Sequence, residues 1–231
     1  MDGNARPDDR YEGVFWVTVN DGSRRLATKN IAPGIDVYGE TLVRDGKSEY
    51  RTWDAYRSKL AAAILRNMSN LPVRRGVHVL YLGSASGTTA SHVSDIVEEQ
   101  GRVYCVEFAQ RSMRELIDSL CQYRSNIYPI LADARQPEKY KSLVSGVDVI
   151  YSDVAQSEQA KILADNAKMF LKPKGSVLMA IKSRSIDVTM EPVDVFKQEI
   201  QILRRNGFRV AQTLNLEPYE KDHAMVLAMP E

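Results

Sequence analysis

The sequence predicts an α/β protein: a mostly parallel sheet covered by helices, preceded by a small antiparallel β unit. Two patterns support this fold class. From Val77 onward, short apolar runs alternate with amphipathic helical segments, which is typical of parallel strands connected by helices. Before that point, alternating segments are separated by turn signals such as Asn20-Asp21-Gly22, which are typical of antiparallel hairpins. We therefore predict two domains, residues 1–52 and residues 53–231.

The N-terminal unit is predicted from two strands of alternating polarity. They cover residues 14–19 and 49–53 and contain the aromatic and β-branched side chains that favour strands. A helix is predicted from residue 55 to about residue 68, with an apolar stripe and with Asp54 as its N-cap. Pro72 ends this helical segment and begins the link to the main sheet.

Seven strands are predicted in the main domain, at residues 77–82, 102–107, 127–132, 147–152, 176–181, 208–215 and 223–228. The last two are separated by a loop that is too short for a connecting helix, so we expect them to form an antiparallel hairpin. A six-stranded dinucleotide-binding sheet has no such ending. The seven-stranded, Rossmann-like sheet of class I S-adenosylmethionine-dependent methyltransferases has it.

A glycine turn follows the first strand of this sheet. Gly83 ends the strand, and Gly87 precedes small polar residues suited to a helix start, where exposed amides favour anionic or polar ligand groups. Glu107 closes the next strand 20 residues after Gly87, where an acidic side chain binds ribose hydroxyls in nucleotide sites. The cofactor-binding residues predicted around this turn are Gly83, Ala85, Ser86, Gly87, Thr88, Thr89, Glu107 and Phe108.

The spacing of the turn favours S-adenosylmethionine over a dinucleotide. Gly-x-Ala-x-Gly stands where a dinucleotide fold has Gly-x-Gly-x-x-Gly, and S-adenosylmethionine has a ribose but no pyrophosphate. Other interpretations remain open: a small-molecule O-methyltransferase, a non-catalytic subunit that keeps the cofactor fold, and a nicotinamide dehydrogenase. Ala85 and the terminal hairpin argue against a nicotinamide dehydrogenase. In a further interpretation, the two glycines are needed only for the tight turn between strand and helix and bind no ligand.

Polar side chains also follow the later strands, at the sheet edge where ligands bind in α/β proteins. Asp133 is predicted to accept the exocyclic amine of adenine, with Ala134 leaving space for the ring. Asp153 and Gln156 follow the central strand, close to the expected position of the cofactor's reactive end.

Two lysines near this edge of the sheet are candidates for a catalytic base. Lys182 follows the fifth strand and Lys59 lies on the helix before the sheet. A partly desolvated lysine beside another cation can serve as a base, held by a carboxylate such as Asp153, and this suits removal of a proton from a weakly acidic hydroxyl. His223, which opens the last strand, is a candidate for orienting this group.

Composition limits the classes of partner. The formal net charge is +1, from 31 Lys and Arg against 30 Asp and Glu, so binding of nucleic acid would depend on a local basic patch or on other subunits. No apolar run approaches the roughly 20 residues needed to cross a bilayer, and the N-terminus lacks the apolar core of a signal peptide. We expect an intracellular protein without membrane contact. Cys105 and Cys121 match no metal-ligand spacing and are expected to be buried thiols.

Five segments in a fixed order resemble the fibrillarin family, the methyltransferases of box C/D guide ribonucleoproteins. The most characteristic part is the helix start ending in Ser91-His92-Val93-Ser94-Asp95, and the resemblance extends from about Tyr11 to the C-terminus. The five segments are residues 79–95, 106–112, 131–137, 151–156 and 181–187.

The resemblance implies S-adenosylmethionine-dependent 2′-O-methylation of ribose in ribosomal RNA and, in archaea, transfer RNA. The family's Lys-Asp-Lys-His tetrad falls on Lys59, Asp153, Lys182 and His223. Related ribose methyltransferases have Glu in the last position.

The resemblance also implies partners. They are a box C/D guide RNA that pairs with the target, a coiled-coil Nop-type scaffold protein, and a kink-turn-binding subunit resembling a ribosomal protein. Eukaryotic members have a Gly/Arg-rich N-terminal region that this sequence does not show, so we expect an archaeal, cytoplasmic member. Arg24, Arg25 and Arg184 either contact phosphates or are solvated surface charges.

Overall fold

A computed structural model describes residues 4–231 and contains two β-sheets. The N-terminal sheet has five antiparallel strands in the order β1-β2-β3-β5-β4. Its strands are β1 (Ala5–Pro7), β2 (Val14–Thr18), β3 (Arg24–Lys29), β4 (Leu42–Asp45) and β5 (Ser48–Thr52). Two of them, β2 and β5, were predicted. The other three are short or carry several exposed charges, so their apolar alternation is weak.

The second sheet has seven strands in the order β11-β12-β10-β9-β6-β7-β8. Strand β12 runs antiparallel to both of its neighbours, β10 and β11, and the other four strand pairs are parallel, which confirms the predicted fold class and its terminal hairpin. Its strands are β6 (His78–Leu82), β7 (Arg102–Glu107), β8 (Ile127–Leu131), β9 (Val147–Ser152), β10 (Leu171–Lys182), β11 (Phe208–Asn215) and β12 (His223–Pro230).

Six α-helices lie between or before these strands: α1 (Lys59–Leu65), α2 (Thr88–Val97), α3 (Gln110–Leu116), α4 (Gln159–Phe170), α5 (Ser183–Ile186) and α6 (Pro192–Arg205). One π-helical turn (Ile117–Cys121) extends α3, and a 3₁₀ segment (Pro137–Leu143) precedes β9. Within residues 4–231, none of the helices has the length and apolar character needed to cross a membrane.

The largest errors in the predicted boundaries are the starts of α1 and β10, and α1 also ends at Leu65 rather than near Met68. Helix α1 begins at Lys59, because Ser58 caps it by accepting the Ala61 N–H at 3.3 Å, whereas Asp54 caps only a preceding turn. Serine and aspartate are both good N-caps, so sequence pattern does not distinguish them. Strand β10 begins at Leu171 rather than Ser176, since Leu171 already pairs with β9 before an irregularity in the register. The corrected start of α1 places Lys59 in its first turn.

Helix α2 is buried over nearly its whole length, although much of its sequence is polar. Ser91, His92, Ser94 and Asp95 are all almost fully buried, and each contacts the N-terminal sheet or the segment before β8. An amphipathic surface helix has one polar face in water. In α2 the polar face is covered by protein, so these side chains join α2 to its surroundings by hydrogen bonds.

Asp95 is the centre of this contact. Its carboxylate accepts hydrogen bonds from Arg51 at 3.0 Å and from Arg124, and the hydroxyl of Thr28 donates to it at 2.7 Å. Arg51 also donates to Glu40 at 2.6 Å. The four charged side chains are fully buried, and the two positive charges balance the two negative ones. Buried charges are tolerated when they are paired and hydrogen-bonded to one another in this way.

His92 lies beside this cluster and is fully enclosed. Its Nδ1 atom is 2.7 Å from the Thr28 hydroxyl, and its Nε2 atom is 2.8 Å from the Tyr38 hydroxyl. The ring of Trp53 stacks on the imidazole at 4.8 Å. Burial, followed by the nearby charges of Arg51 and Arg124, holds the pKa of His92 well below its ordinary value of 6.5. The side chain is therefore neutral in the folded protein.

Replacing Asp95 by Asn is expected to destabilise the fold by about 3–5 kcal/mol, because two buried arginines lose their shared negative charge. Urea-induced unfolding monitored by circular dichroism measures this change. Asp165→Asn is the matched control: Asp165 pairs with Lys161 and Lys168 on an exposed helix face, where such pairs contribute about 0–1 kcal/mol. Equal effects of the two substitutions would contradict the proposed importance of the buried cluster.

The stability of the protein is expected to fall as the pH drops below about 6.5. The unfolded chain then binds a proton at His92 that the folded protein excludes, which lowers the free energy of unfolding by up to about 1.4 kcal/mol per pH unit. Denaturation curves between pH 7 and 5 measure this slope. His92→Gln should reduce it clearly. His78→Gln should reduce it less, since His78 is half-exposed and its pKa is lowered to a smaller extent.

Candidate active site

The site begins where β6 and β9 end side by side. The Asp153 N–H donates to the Leu82 carbonyl at 2.9 Å, which holds the residues after the two strands together. Gly83 has a φ of +77°, and a Cβ atom there would lie 2.8 Å from the Asp153 carbonyl oxygen. Glycine is therefore required at residue 83 both by the turn and by the close approach of the neighbouring backbone.

The rest of the turn is held by Glu107 at the end of β7. Ala85 has a φ of 49°, a left-handed conformation that is unfavourable for alanine. Its N–H donates to Glu107 Oε2 at 3.0 Å, and the Ala109 N–H donates to Oε1 at 2.8 Å. Glu107 is buried, and each of its carboxylate oxygens still has a lone pair for a ligand hydroxyl. The side chain therefore fixes the turn and can also bind a ribose.

A cavity of about 330 Å³ opens above these strand ends. Twelve of the predicted site residues line it: Lys59, Gly83, Ala85, Ser86, Thr88, Thr89, Glu107, Phe108, Ala134, Asp153, Gln156 and Lys182. The predicted residues therefore converge although they are far apart in the sequence. They converge because the carboxyl ends of parallel strands meet at one edge of the sheet.

Three predicted site residues, Gly87, Asp133 and His223, lie outside the lining of this cavity. Gly87 packs against the hydrophobic core, since a Cβ there would lie 2.3 Å from Leu120 Cδ1. Asp133 accepts hydrogen bonds from the guanidinium and backbone N–H of Arg135, which hold its pKa below the usual range. Its predicted contact with adenine stays a prediction.

Two lysines share the carboxylate of Asp153. Lys182 Nζ is 2.8 Å from Asp153 Oδ1 and 2.7 Å from the Asp153 carbonyl oxygen. Lys59 Nζ is 3.4 Å from the same Oδ1 atom. All three side chains are mostly buried, with 13–18% of their surface exposed. The carboxylate therefore fixes one amine tightly at the cavity wall and a second one slightly farther away.

His223 lies next to this cluster, because it pairs with Lys182 across the β10 and β12 strands. Its Nδ1 atom is 2.6 Å from the Lys221 carbonyl oxygen. A carbonyl oxygen only accepts hydrogen bonds, so Nδ1 carries the hydrogen. Glu220 lies between His223 and Lys59. One of its carboxylate oxygens is 3.7 Å from Nδ1 of His223, and the other is 3.7 Å from Lys59 Nζ. The structure thus joins His223 to the lysine pair through Glu220.

Sequence reasoning missed four polar side chains around the cavity. Glu220 lies in a charged loop, where a single acidic residue carries no distinguishing pattern. Tyr81 and Ser84 line the cavity from β6 and its turn; burial raises the pKa of Tyr81, so its hydroxyl stays protonated. Arg57, just before α1, also lines it. The alternation of β6 indicates that Tyr81 faces away from Leu80 and Leu82, and this was an available signal.

The model of the fibrillarin family matches residues 5–231 of this sequence. The chain belongs to the fibrillarin family. A relative from Staphylothermus marinus, named fibrillarin-like rRNA/tRNA 2′-O-methyltransferase, is 54% identical over 97% of this chain and 96% of its own length.

Two solved structures extend this similarity to the fibrillarin fold. The crystal structure of Aeropyrum pernix fibrillarin in complex with natively bound S-adenosyl-L-methionine is 54% identical, covers 98% of both chains and has a TM-score of 0.92. The structure of a fibrillarin/Nop5p complex is 41% identical, covers 97% of this chain and all of the other, and has a TM-score of 0.85. The glycine turn of this fibrillarin-family chain therefore belongs to a fold in which S-adenosylmethionine has been observed.

Gly83→Ala is expected to destabilise the fold more than Gly76→Ala. Both glycines have nearly the same positive φ, +77° and +76°, so both variants bear the same cost of about 1–2 kcal/mol for a left-handed alanine. Only the Cβ at Gly83 meets backbone atoms, which adds about 1–3 kcal/mol for overpacking. Urea unfolding of the two variants gives the difference directly. Equal losses of stability would mean that the strand ends separate easily.

Proposed function

We propose that this chain transfers a methyl group from S-adenosylmethionine to the 2′-hydroxyl of ribose in ribosomal and transfer RNA. The single observation that carries this proposal is the Asp153 carboxylate shared by Lys182 and Lys59 at the wall of the cavity formed by the glycine turn. The names of the relatives, which are rRNA/tRNA 2′-O-methyltransferases, support it.

The residues of the cavity fit S-adenosylmethionine. Glu107 offers a buried carboxylate for the ribose hydroxyls, and Ala134 leaves room for a flat ring. Ser84 Oγ is buried in the same lining and has no hydrogen-bond partner among residues 4–231, so it is available to a polar ligand group. When bound, the cofactor supplies a sulfonium methyl group that is already activated for transfer.

The protein then has to position the target hydroxyl and remove its proton. We assign Lys182 as the base. Asp153 holds the lysine Nζ through two oxygens and stabilises the positive charge that forms on it. Lys59 is the second positive charge beside the Asp153 carboxylate. His223 donates its Nδ1 hydrogen to the Lys221 carbonyl oxygen. Its other ring nitrogen, Nε2, is available for a second hydrogen bond.

We further propose that the chain acts within a guide ribonucleoprotein. A Nop-type scaffold protein as partner is supported by the fibrillarin/Nop5p complex. A box C/D guide RNA and a kink-turn-binding subunit complete the proposal. The formal net charge of +1 supports it, because a nearly neutral chain attracts RNA weakly and depends on other components to bring the substrate. The expected cytoplasmic location stays a prediction, which imaging of the tagged protein tests.

Lys182→Met and Asp153→Asn are each expected to lower the rate of methyl transfer by about 10²–10⁴, the usual contribution of a positioned base. The measurement is transfer of a labelled methyl group to target RNA, with and without guide RNA and the partner proteins. Lys172→Met is the matched control, since Lys172 pairs with Asp148 at 2.7 Å at the opposite end of the same strands. It should keep full activity.

Two outcomes would reject these assignments. Full activity of either variant would show that the replaced residue takes no part in the reaction. Methyl transfer by the wild-type chain to a small phenol, but not to RNA with its guide, would favour a small-molecule O-methyltransferase instead.

A further inference from the structure

The end of β10 carries Lys182 beyond the strand that supports it. Strand β9 runs parallel to β10, and the register between them ends where Met179 pairs with Ser152. On its other side, Lys182 still pairs with His223 of β12. Among the residues that the structure describes, no strand pairs with Lys182 on its β9 side. Backbone N–H and carbonyl groups at such a place need partners from elsewhere in the protein.

The side chain of Gln159 fills this place. Gln159 is the first residue of α4, the helix that follows β9, and it is fully buried. Its Oε1 atom accepts the Lys182 N–H at 2.9 Å, and its Nε2 atom donates a longer, weaker bond to the Lys182 carbonyl oxygen at 3.4 Å. An amide side chain offers an acceptor and a donor side by side, as a peptide group does. Gln159 thus bonds the main chain of Lys182 as a neighbouring strand would.

We propose that Gln159 is a positioning residue for methyl transfer, which fixes Lys182 Nζ by holding the main chain of Lys182. This inference rests on the proposed role of Lys182 as the base and adds the residue that places it. Gln159 is outside the lining of the catalytic cavity, which is the cavity above the ends of β6 and β9. It therefore acts on the reaction through Lys182 and not through a substrate.

The place of the Lys182 amine depends on two strands at once. Both oxygen atoms that hold Nζ belong to Asp153, at 2.8 Å and 2.7 Å. Asp153 follows β9 and is bonded to Leu82 of β6, whereas Lys182 ends β10. The amine therefore keeps its place only if the end of β10 stays fixed relative to the end of β9. Gln159 makes this connection, because it lies on the helix that follows β9.

The start of α4 is itself held by a further helix. Ala160, the residue after Gln159, donates its N–H to Glu199 Oε2 at 2.7 Å. Glu199 lies on α6 and is buried. Its carboxyl group binds one of the N–H groups that have no partner within the helix. Such support behind Lys182 matters for the reaction, since a displacement of about 1 Å in a site can cost about 10²-fold in rate.

The test is steady-state methylation of target RNA by the assembled guide ribonucleoprotein. Gln159→Met keeps the length of the side chain but forms neither hydrogen bond to Lys182. We expect kcat to fall about 10- to 100-fold, while KM for S-adenosylmethionine and KM for RNA stay within about twofold. Gln159→Glu keeps an oxygen atom for the Lys182 N–H but loses the donor, so its kcat should lie between the two.

A double-mutant cycle separates positioning from general support of the fold. If Gln159 acts through Lys182, adding Gln159→Met to Lys182→Met should lower the residual rate no further. Asn126→Leu is the matched structural control. Asn126 is a buried amide that donates to the Ser94 and Glu98 carbonyl oxygens, and it lies before β8, three strands away from β10. This control should lower stability in urea unfolding and leave kcat unchanged.

Other results overturn the proposal. A wild-type kcat for Gln159→Met shows that the place of Lys182 does not depend on this amide. A raised KM for S-adenosylmethionine with kcat retained assigns Gln159 to cofactor binding. An equal further loss of rate in the Lys182→Met background, or an equal loss of kcat in Asn126→Leu, assigns it to the fold alone.

Two further controls keep the outcomes distinct. If Gln159→Met does not fold, Gln159→Glu takes its place in the same cycle, and a wild-type kcat for that variant rejects the proposal. As long as the wild-type complex methylates ribose, all of these results reject only the role of Gln159. A wild-type complex that transfers no methyl group to ribose rejects the proposed function itself.

Discussion

The burial of Asp95 between Arg51 and Arg124 is the interaction on which the rest of the structure depends. It joins three parts of the chain, which are α2, the N-terminal sheet and the segment before β8. Removing any one of these charges leaves another uncompensated in the protein interior, so the arrangement is strongly selected over alternatives. These ion pairs hold α2 near its C-terminal end.

This anchoring has consequences for the site. The turn from Gly83 to Gly87 leads directly into α2, and Glu107 holds the turn from the neighbouring strand. The N-terminal sheet is attached to the same helix through Arg51, so this sheet and the catalytic cavity are fixed relative to each other. An accurately placed methyl donor and acceptor require such rigidity, because proximity and orientation supply much of the rate.

The molecule contains two balanced charge clusters that differ in exposure. The structural cluster around Asp95 is fully buried, and each of its charges is paired with an opposite one. The cluster of Lys59, Lys182, Asp153 and Glu220 lies at a cavity wall, with 13–22% of each side chain exposed. The second cluster is therefore accessible from the cavity, whereas the first is enclosed by protein. The same residue types therefore stabilise the fold in one place and line the candidate active site in the other.

The sequence by itself determined the sheet, its terminal hairpin and most of the cavity lining. Strand period, the glycine turn and the strand-end position of Glu107 are local signals, and parallel strands bring their carboxyl ends together without further information. Only the tertiary structure showed that Ser58 caps α1, that Arg135 engages Asp133, and that Glu220 links His223 to Lys59. It also explained the polar residues of α2, whose partners lie 29 to 67 positions away. Contacts over such distances depend on packing, which no local pattern records.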